Sequence, residues 1–459
     1  MKNIYKILFG GLLLVTVMSC NDEFLENEQF STTPQNVTSV GDLQALMYGA
    51  LVEARDVTYY GRDMIIYGSV RSDLAYNTVA SGRFRGPSQF SMLSTDAYAR
   101  DTFTKIYQVI AQLNIIINSD FQDAARANEI MNVKGQALVL RANAYFDLLK
   151  LYGQEHSGGT LGVPLVLAYS GTGSEKPSRS TLVETHAQIA ADFEAGVTSI
   201  SNSGLASSSK DLINIHAANG LAARYYLYKG TTQADNASLQ LAYDHASDVI
   251  NNGSYTVIGA DLYVNSFAQN KTSSNSIFEI EVGTQAKLGT TSIAYMYSDN
   301  GYGDINALPG FIASFSAVDV RADLINGNNV DTKYPLIDGS NSIKILRYEE
   351  VLLTRAEANL RLGINAAEAD SDVNAVVTNR DLPAYAGITL AETLEERKKE
   401  LFFEGIRYFD MLRLGMDIPG WTPAGTLDNT YLYGNTKLAF AIPQRELDVN
   451  PNMQPNPGY

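Results

Sequence analysis

The stretch NVKGQALVLRANAYFDLLKLYG constrains how this chain can fold. Ala137, Arg141, Ala144, Tyr145, Leu148 and Tyr152 fall on one side of a helix, and Gly153 supplies a stop. An alanine on a buried helix face lets a second helix approach closely. The same device recurs at Ala218, Ala222, Ala242, Ala246 and Ala356, with tyrosines nearby.

Other segments share the helical period: RDTFTKIYQVIAQLNIIINS, TLVETHAQIAADFEAGVTSI opened by Thr181, NIHAANGLAARYYLYKG opened by Asn214, and ASLQLAYDHASDVINNG. Toward the C-terminus lie IKILRYEEVLLTRAEANLRLG, with Leu352, Leu353, Ala356 and Leu360 on one arc, and TLEERKKELFFEGIRYFDMLRLG, which reads as one long helix. An earlier helix starts at Ser39 or Gly41-Asp42 and carries Leu43, Leu46, Met47, Ala50 and Leu51. The expected fold is therefore mainly α: degenerate tetratricopeptide-like helix pairs forming a scaffold, without the strict repeat of roughly 34 residues. Two long Gly/Ser/Asn-rich inserts, about 59–97 and 252–343, interrupt it and are expected to carry function and a few short strands, such as SIFEIEVG.

The formal charge is −16 over 459 residues, a field that repels polyanions and argues against nucleic acid as a partner. Aromatic usage is lopsided, with 27 Tyr against a single Trp, Trp421. Most of these rings are expected in helix packing.

MKNIYKILFGGLLLVTVMSC has a charged start, a short apolar run and a small residue before Cys20, the pattern of an export signal in residues 1–19. The apolar run is shorter than the roughly 20 residues a spanning helix needs. Cys20 is the sole cysteine, so disulfides within the chain are excluded, and Val17-Met18-Ser19-Cys20 resembles a bacterial lipobox. The expectation is a lipidated Cys20 followed by an acidic tether over 20–38 and a single domain over 39–459. The alternative is a secreted chain with an incidental thiol.

Several chemistries have no local support. His156, His186, His216 and His245 form no HExxH pair, and there is no phosphate-binding glycine loop and no nucleophile elbow. DSDVNAVVTNRD places Asp370, Asp372, Asn374 and Asp381 in an EF-hand-like register, but Ala375 stands where the turn glycine is required. No metal and no cofactor are expected.

Four stretches then carry a resemblance. Glu396, Arg397, Glu400, Leu401, Phe403, Glu404, Gly405, Arg407, Tyr408, Asp410 and Arg413 follow the run E-R-x-x-E-L-x-F-E-G-x-R-[YFW]-x-D-x-x-R. RYEEVLLTRAEANLRLG, DVNAVVTNRDLPA and AFAIPQRELDVNPNMQPNPGY agree in order, with departures at Val377, Asp381 and Pro455, and CNDEFLE matches at the start. Together they resemble the SusD/RagB family of nutrient-binding surface lipoproteins of Bacteroidetes.

That resemblance implies a lipid-anchored, non-enzymatic protein on the outer face of the outer membrane. It would capture oligosaccharides and pass them to a SusC-like TonB-dependent β-barrel. Oligopeptide capture is the alternative ligand reading; a surface glycan-active enzyme and a helical-repeat adaptor are the alternative classes. Family ligand contacts come from two loop regions, which here imply Arg71, Asp73, Tyr76, Asn77, Arg83, Phe84 and Arg85, and Tyr295, Tyr297, Asp299, Asn300 and Tyr302. Aromatic rings with amide, carboxylate and guanidinium groups at their edges suit a sugar, and arginines also suit a carboxylate. The charges of the late signature, from Glu404 to Arg413 at i, i+3 spacing, read instead as a structural ladder along one helix.

Overall fold

Ser39 starts the first described helix through a reciprocal cap: its hydroxyl accepts from Asp42 N at 3.1 Å, and the Asp42 carboxylate accepts from Ser39 N at 2.9 Å. The computed structural model describes residues 36–169, 171, 175–270 and 272–459, so the expected signal, Cys20 and most of the tether lie outside the described residues. Helix α1 runs Val40–Ala54, α2 Asp63–Val70, α3 Ala97–Ile117, α4 Ala127–Tyr152, α5 Leu182–Ser203, α6 Ile215–Gln233 and α7 Asn236–Asn252. After the second insert come α8 Tyr348–Leu362, α9 Ala366–Val377, α10 Leu390–Glu400 and α11 Arg407–Arg413. Several shorter turns of helix lie between them.

The long helices stack in sequence: α3 on α1, α4 on α3, α5 on α4, α6 on α5, α7 on α6, α8 on α7 and α9 on α8. This mainly helical scaffold is the expected one, and the arrangement is consistent with tetratricopeptide-like pairing. Ala137, Ala144, Ala218, Ala222, Ala242, Ala246 and Ala356 are all fully buried where neighbours approach. Thr181 and Asn214 cap α5 and α6, accepting from Glu184 N and Ala217 N. Tyrosines complete the packing and also donate to backbone carbonyls: Tyr145 Oη to Val166 O in a loop at 2.6 Å and Tyr152 Oη to Ala99 O in the first turn of α3 at 2.7 Å.

The late signature departs from the expected single helix. It is two helices, α10 and α11, joined by an unwound turn over 401–406 in which Phe403 and Gly405 take φ of 59° and 83°. The cause is close passage of α2: a methyl added at Gly68 would stand 2.3 Å from the Gly405 backbone, too close for any side chain. The freed carbonyls find donors elsewhere. Lys333 Nζ donates to Phe402 O at 2.6 Å and Tyr334 Oη to Phe403 O at 2.7 Å.

The charges of the signature are structural, but they do not form a ladder along one helix. Glu404 accepts from Lys333 and Arg347, Arg407 donates to Asp73, Asp410 pairs with Arg397 and Arg413, and Arg413 reaches Glu357. Glu400, fully buried, accepts from Arg347 and Arg380. The EF-hand-like run lies mostly in α9: Asp372 is held by Arg355, and Asp370 accepts from Gly387 N and Ile388 N.

Among the described residues, three two-stranded antiparallel pairs complete the fold. Strand β1, Ala75–Asn77, pairs with β3, Ile305–Ala307, in the register Ala75↔Ala307, Tyr76↔Asn306 and Asn77↔Ile305. Strand β2, Ser276–Ile280, is the expected SIFEIEVG strand. It pairs with β4, Ile343–Arg347, and even its Glu279 is buried, against Lys344. Strands β5, Ile418–Trp421, and β6, Leu427–Tyr431, form a hairpin whose β6 residues are largely exposed.

Candidate functional site

The β1–β3 pair joins the two inserts, so the loop after β1 and the segment before β3 form one face. The loop of residues 78–90 is strained: Val79, Phe84 and Phe90 all take φ of 53°, a region that side chains with a Cβ rarely adopt. Hydrogen bonds hold it there. Asn77 Oδ1 accepts from Val79 N at 2.8 Å, Asn77 Nδ2 donates to Arg83 O at 2.8 Å, and Phe84 N donates to Tyr98 Oη at 2.9 Å. Buried Asp304, next to β3, accepts from both the amide and the hydroxyl of Ser81. Strain maintained by surrounding contacts at an exposed loop is a mark of a functional segment.

On this loop the Arg83 guanidinium lies over the Tyr302 ring, 3.7 Å from its centre. Tyr302 in turn meets Tyr295 edge to face, with centres 4.9 Å apart, and Tyr302 N donates to Tyr295 O at 2.8 Å. This tight return needs Gly301, where a methyl would stand 2.3 Å from the Tyr295 carbonyl oxygen. Asp299 and Asn300 at the tip of the return are exposed, as is Arg85, whose Nε donates to Gln89 Oε1 at 3.2 Å. Arg83, Arg85, Tyr295, Asp299, Asn300 and Tyr302 therefore retain accessible surface, as does half-buried Asp73, whose carboxylate Arg407 engages.

The other expected residues lie in the packing beneath. Arg71 is fully buried, 3.8 Å over the Phe90 ring, and donates to Pro87 O, Tyr408 Oη and Lys437 O. Its expected carboxylate grip gives way to this internal role because full burial keeps its guanidinium away from the surface. Asp73 accepts two bonds from Arg407, each 2.7 Å; burial would raise its carboxyl, but those bonds hold it below the usual carboxylate range. Phe84 is buried against Tyr98, and Tyr297 against Tyr334 and Phe403, so neither ring offers a free face. Asn77 is buried as the loop's brace, and Tyr76 lies under the β5–β6 turn, where a methyl on Gly425 would stand 3.1 Å from its ring.

That hairpin is the part sequence reasoning missed. Trp421 is half buried, its indole Nε1 donating to Ser72 O at 2.9 Å, and Tyr431 stacks on Phe90 with ring centres 4.2 Å apart. The signal was available in the lone tryptophan followed by the turn sequence TPAG.

Chemically, the face offers rings, amides, a carboxylate and a fixed cation on open surface. This set can bind a polar, ring-bearing molecule. Among the described residues no helix is long and apolar enough to cross a membrane.

Comparison with known proteins gives a consistent set of matches. Residues 23–227 match the SusD-like family model described as starch-binding and associating with the outer membrane, and residues 323–459 match the SusD family model. The chain is 24% identical to SusD-like protein P2 of Formosa agariphila over 99% of both chains. It is 29% identical over 175 residues to starch-binding protein SusD of Bacteroides thetaiotaomicron, a match covering 36% of this chain and 30% of that one. Among solved structures, a SusD superfamily protein from B. thetaiotaomicron has a TM-score of 0.79 at 26% identity, covering 92% of this chain and all of that one. A sugar-binding protein from Bacteroides vulgatus, so described provisionally, has a TM-score of 0.81 at 26% identity, covering 93% of this chain and all of that one.

Proposed function

Because this chain belongs to the SusD family, we propose that it captures oligosaccharides at the cell surface and delivers them to a SusC-like TonB-dependent β-barrel. In this reading residues 1–19 direct export, lipidated Cys20 anchors the chain, 20–38 act as a tether, and 39–459 form the binding unit. The observation that carries the capture role is the β1–β3 pairing, which joins the two inserts that carry Arg83, Arg85, Tyr295, Asp299, Asn300 and Tyr302 on accessible surface, beside a loop strained at Val79, Phe84 and Phe90.

Tyr295 offers a ring for sugar C–H faces, and Asn300 offers an amide for hydroxyls. The nearby carboxylates of Asp73 and Asp304 are engaged by Arg407 and Ser81, which favours binding over acid–base chemistry. Capture makes and breaks no covalent bond.

Calorimetry against a glycan panel tests the reading. Tyr295→Ala and Asn300→Ala should each weaken the best ligand by about tenfold, the worth of roughly 1.4 kcal/mol. Affinity purification from native membranes should retain a large β-barrel. Binding to no glycan, or purification without a barrel, would refute the corresponding half of the proposal. Oligopeptides remain the alternative ligand because arginines stand on the face.

A further inference from the structure

Most described arginines have a carboxylate partner: Arg62 with Asp63, Arg141 with Asp192, Arg224 with Glu350, Arg355 with Asp372, Arg407 with Asp73 and Arg413 with Glu357. Arg83 does not. Among the described residues its guanidinium meets only the face of Tyr302, while its backbone carbonyl is held by Asn77. An unpaired cation on a half-buried position costs side-chain freedom and solvation, and here it sits on a loop already strained at Val79 and Phe84.

Tyr302 also plays a different part from a sugar platform. One of its faces is covered by Arg83 and its ring contacts Tyr295 at right angles. The electron-rich face therefore orients the cation. A stacked guanidinium keeps its N–H edge free, and that edge matches a carboxylate with two parallel hydrogen bonds.

We propose that Arg83, held on Tyr302, recognises a carboxylate of the ligand, and that the ligand is an oligosaccharide containing uronic acid. This rests on the glycan-binding reading above. A uronic acid unit presents an apolar C–H face, hydroxyls and a carboxylate together, the three features matched by Tyr295, Asn300 and Arg83. The protein's overall charge of −16 repels such a ligand at long range. An oriented, unneutralised cation is what local recognition then requires. A peptide fits less well, because the apolar side chains beside the face, Ile293, Ala294, Met296, Ile305 and Ala307, are all buried and are not presented on its surface.

The test uses oligogalacturonate, alginate oligosaccharide and glucuronoxylan fragments, each beside its chemically carboxyl-reduced counterpart, titrated by calorimetry into wild type, Arg83→Gln and Arg83→Lys. In wild type at least one acidic ligand should bind about tenfold or more tighter than its reduced form, with the advantage shrinking as salt rises. Arg83→Gln should remove that advantage and leave the reduced form's affinity unchanged. Arg83→Lys, which keeps the charge without the planar fork, should retain only part of it.

Equal binding of acidic and reduced forms by wild type would overturn the inference while the glycan reading stands. So would an acid preference that survives Arg83→Gln, or equal loss of acidic and reduced ligands in that variant. With oligopeptides bearing free or amidated C-termini added to the panel, a preference for the free form with no oligosaccharide bound would overturn both readings, as would binding of nothing in the panel.

Discussion

Replacing Glu400 by glutamine keeps the shape of the side chain and removes one negative charge from the centre of the fold. Glu400 is fully buried and accepts from Arg380 Nε at 2.9 Å, Arg380 Nη2 at 2.8 Å and Arg347 Nη1 at 3.0 Å, with Arg321 Nη1 3.9 Å away. Burial alone would raise its carboxyl, but Arg380, Arg347 and Arg321 more than reverse that and pull it from 4.5 to about 2. At about 1.4 kcal/mol per pH unit, that difference is worth roughly 3 kcal/mol at neutral pH. Breaking a buried pair by removing one partner costs about 3–5 kcal/mol, so the two routes agree.

The pH dependence follows. A carboxyl with a depressed folded pKa contributes its full stability above the unfolded value of 4.5, and loses it as pH falls toward about 2. Urea unfolding should therefore find Glu400→Gln less stable than wild type by roughly 3 kcal/mol near neutral pH, and by only about 1–1.5 kcal/mol near pH 3. A variant within about 1 kcal/mol of wild type at neutral pH, or a deficit that does not shrink in acid, would refute the argument that this charge is stabilised by its guanidinium neighbours.

Gly405→Ala should destabilise by at least about 2 kcal/mol, measured by thermal melting. Its φ is 83° and its new methyl would stand 2.9 Å from Ile65 Cα. Asp73→Ala should lower stability by about 2 kcal/mol by stranding Arg407, yet leave glycan affinity of the folded protein unchanged, a pairing of results that separates a brace from a ligand contact. Cys20→Ala should abolish metabolic labelling with palmitate and release the chain from the membrane fraction; retained labelling would place the anchor elsewhere.

Helix starts were legible because capping is local. Ser39, Thr181 and Asn214 each find their amide partner within three residues, and the alanines that permit close packing recur at helical spacing. The break at 401–406 was not legible, because its cause, Gly68, lies more than three hundred residues earlier in the chain. The candidate site divides along the same line. Arg71 and Asp73 look like ligand groups in sequence, since a charge in a loop advertises itself and its internal partner does not. Their partners include Tyr408 and Arg407, which belong to the other end of the chain. Strands of three residues carry no usable periodicity, so the joining of the two inserts was invisible even though both inserts were recognised.

The register Tyr76↔Asn306 has a consequence for how the protein comes of age. Loop closure over so many intervening residues is entropically costly until the helices between have assembled. A nascent or clipped chain lacking the second insert has no Tyr302 on which to rest Arg83 and no Asp304 to hold Ser81. If Arg83 on Tyr302 recognises the ligand as proposed above, every fragment that stops short of the second insert lacks that arrangement.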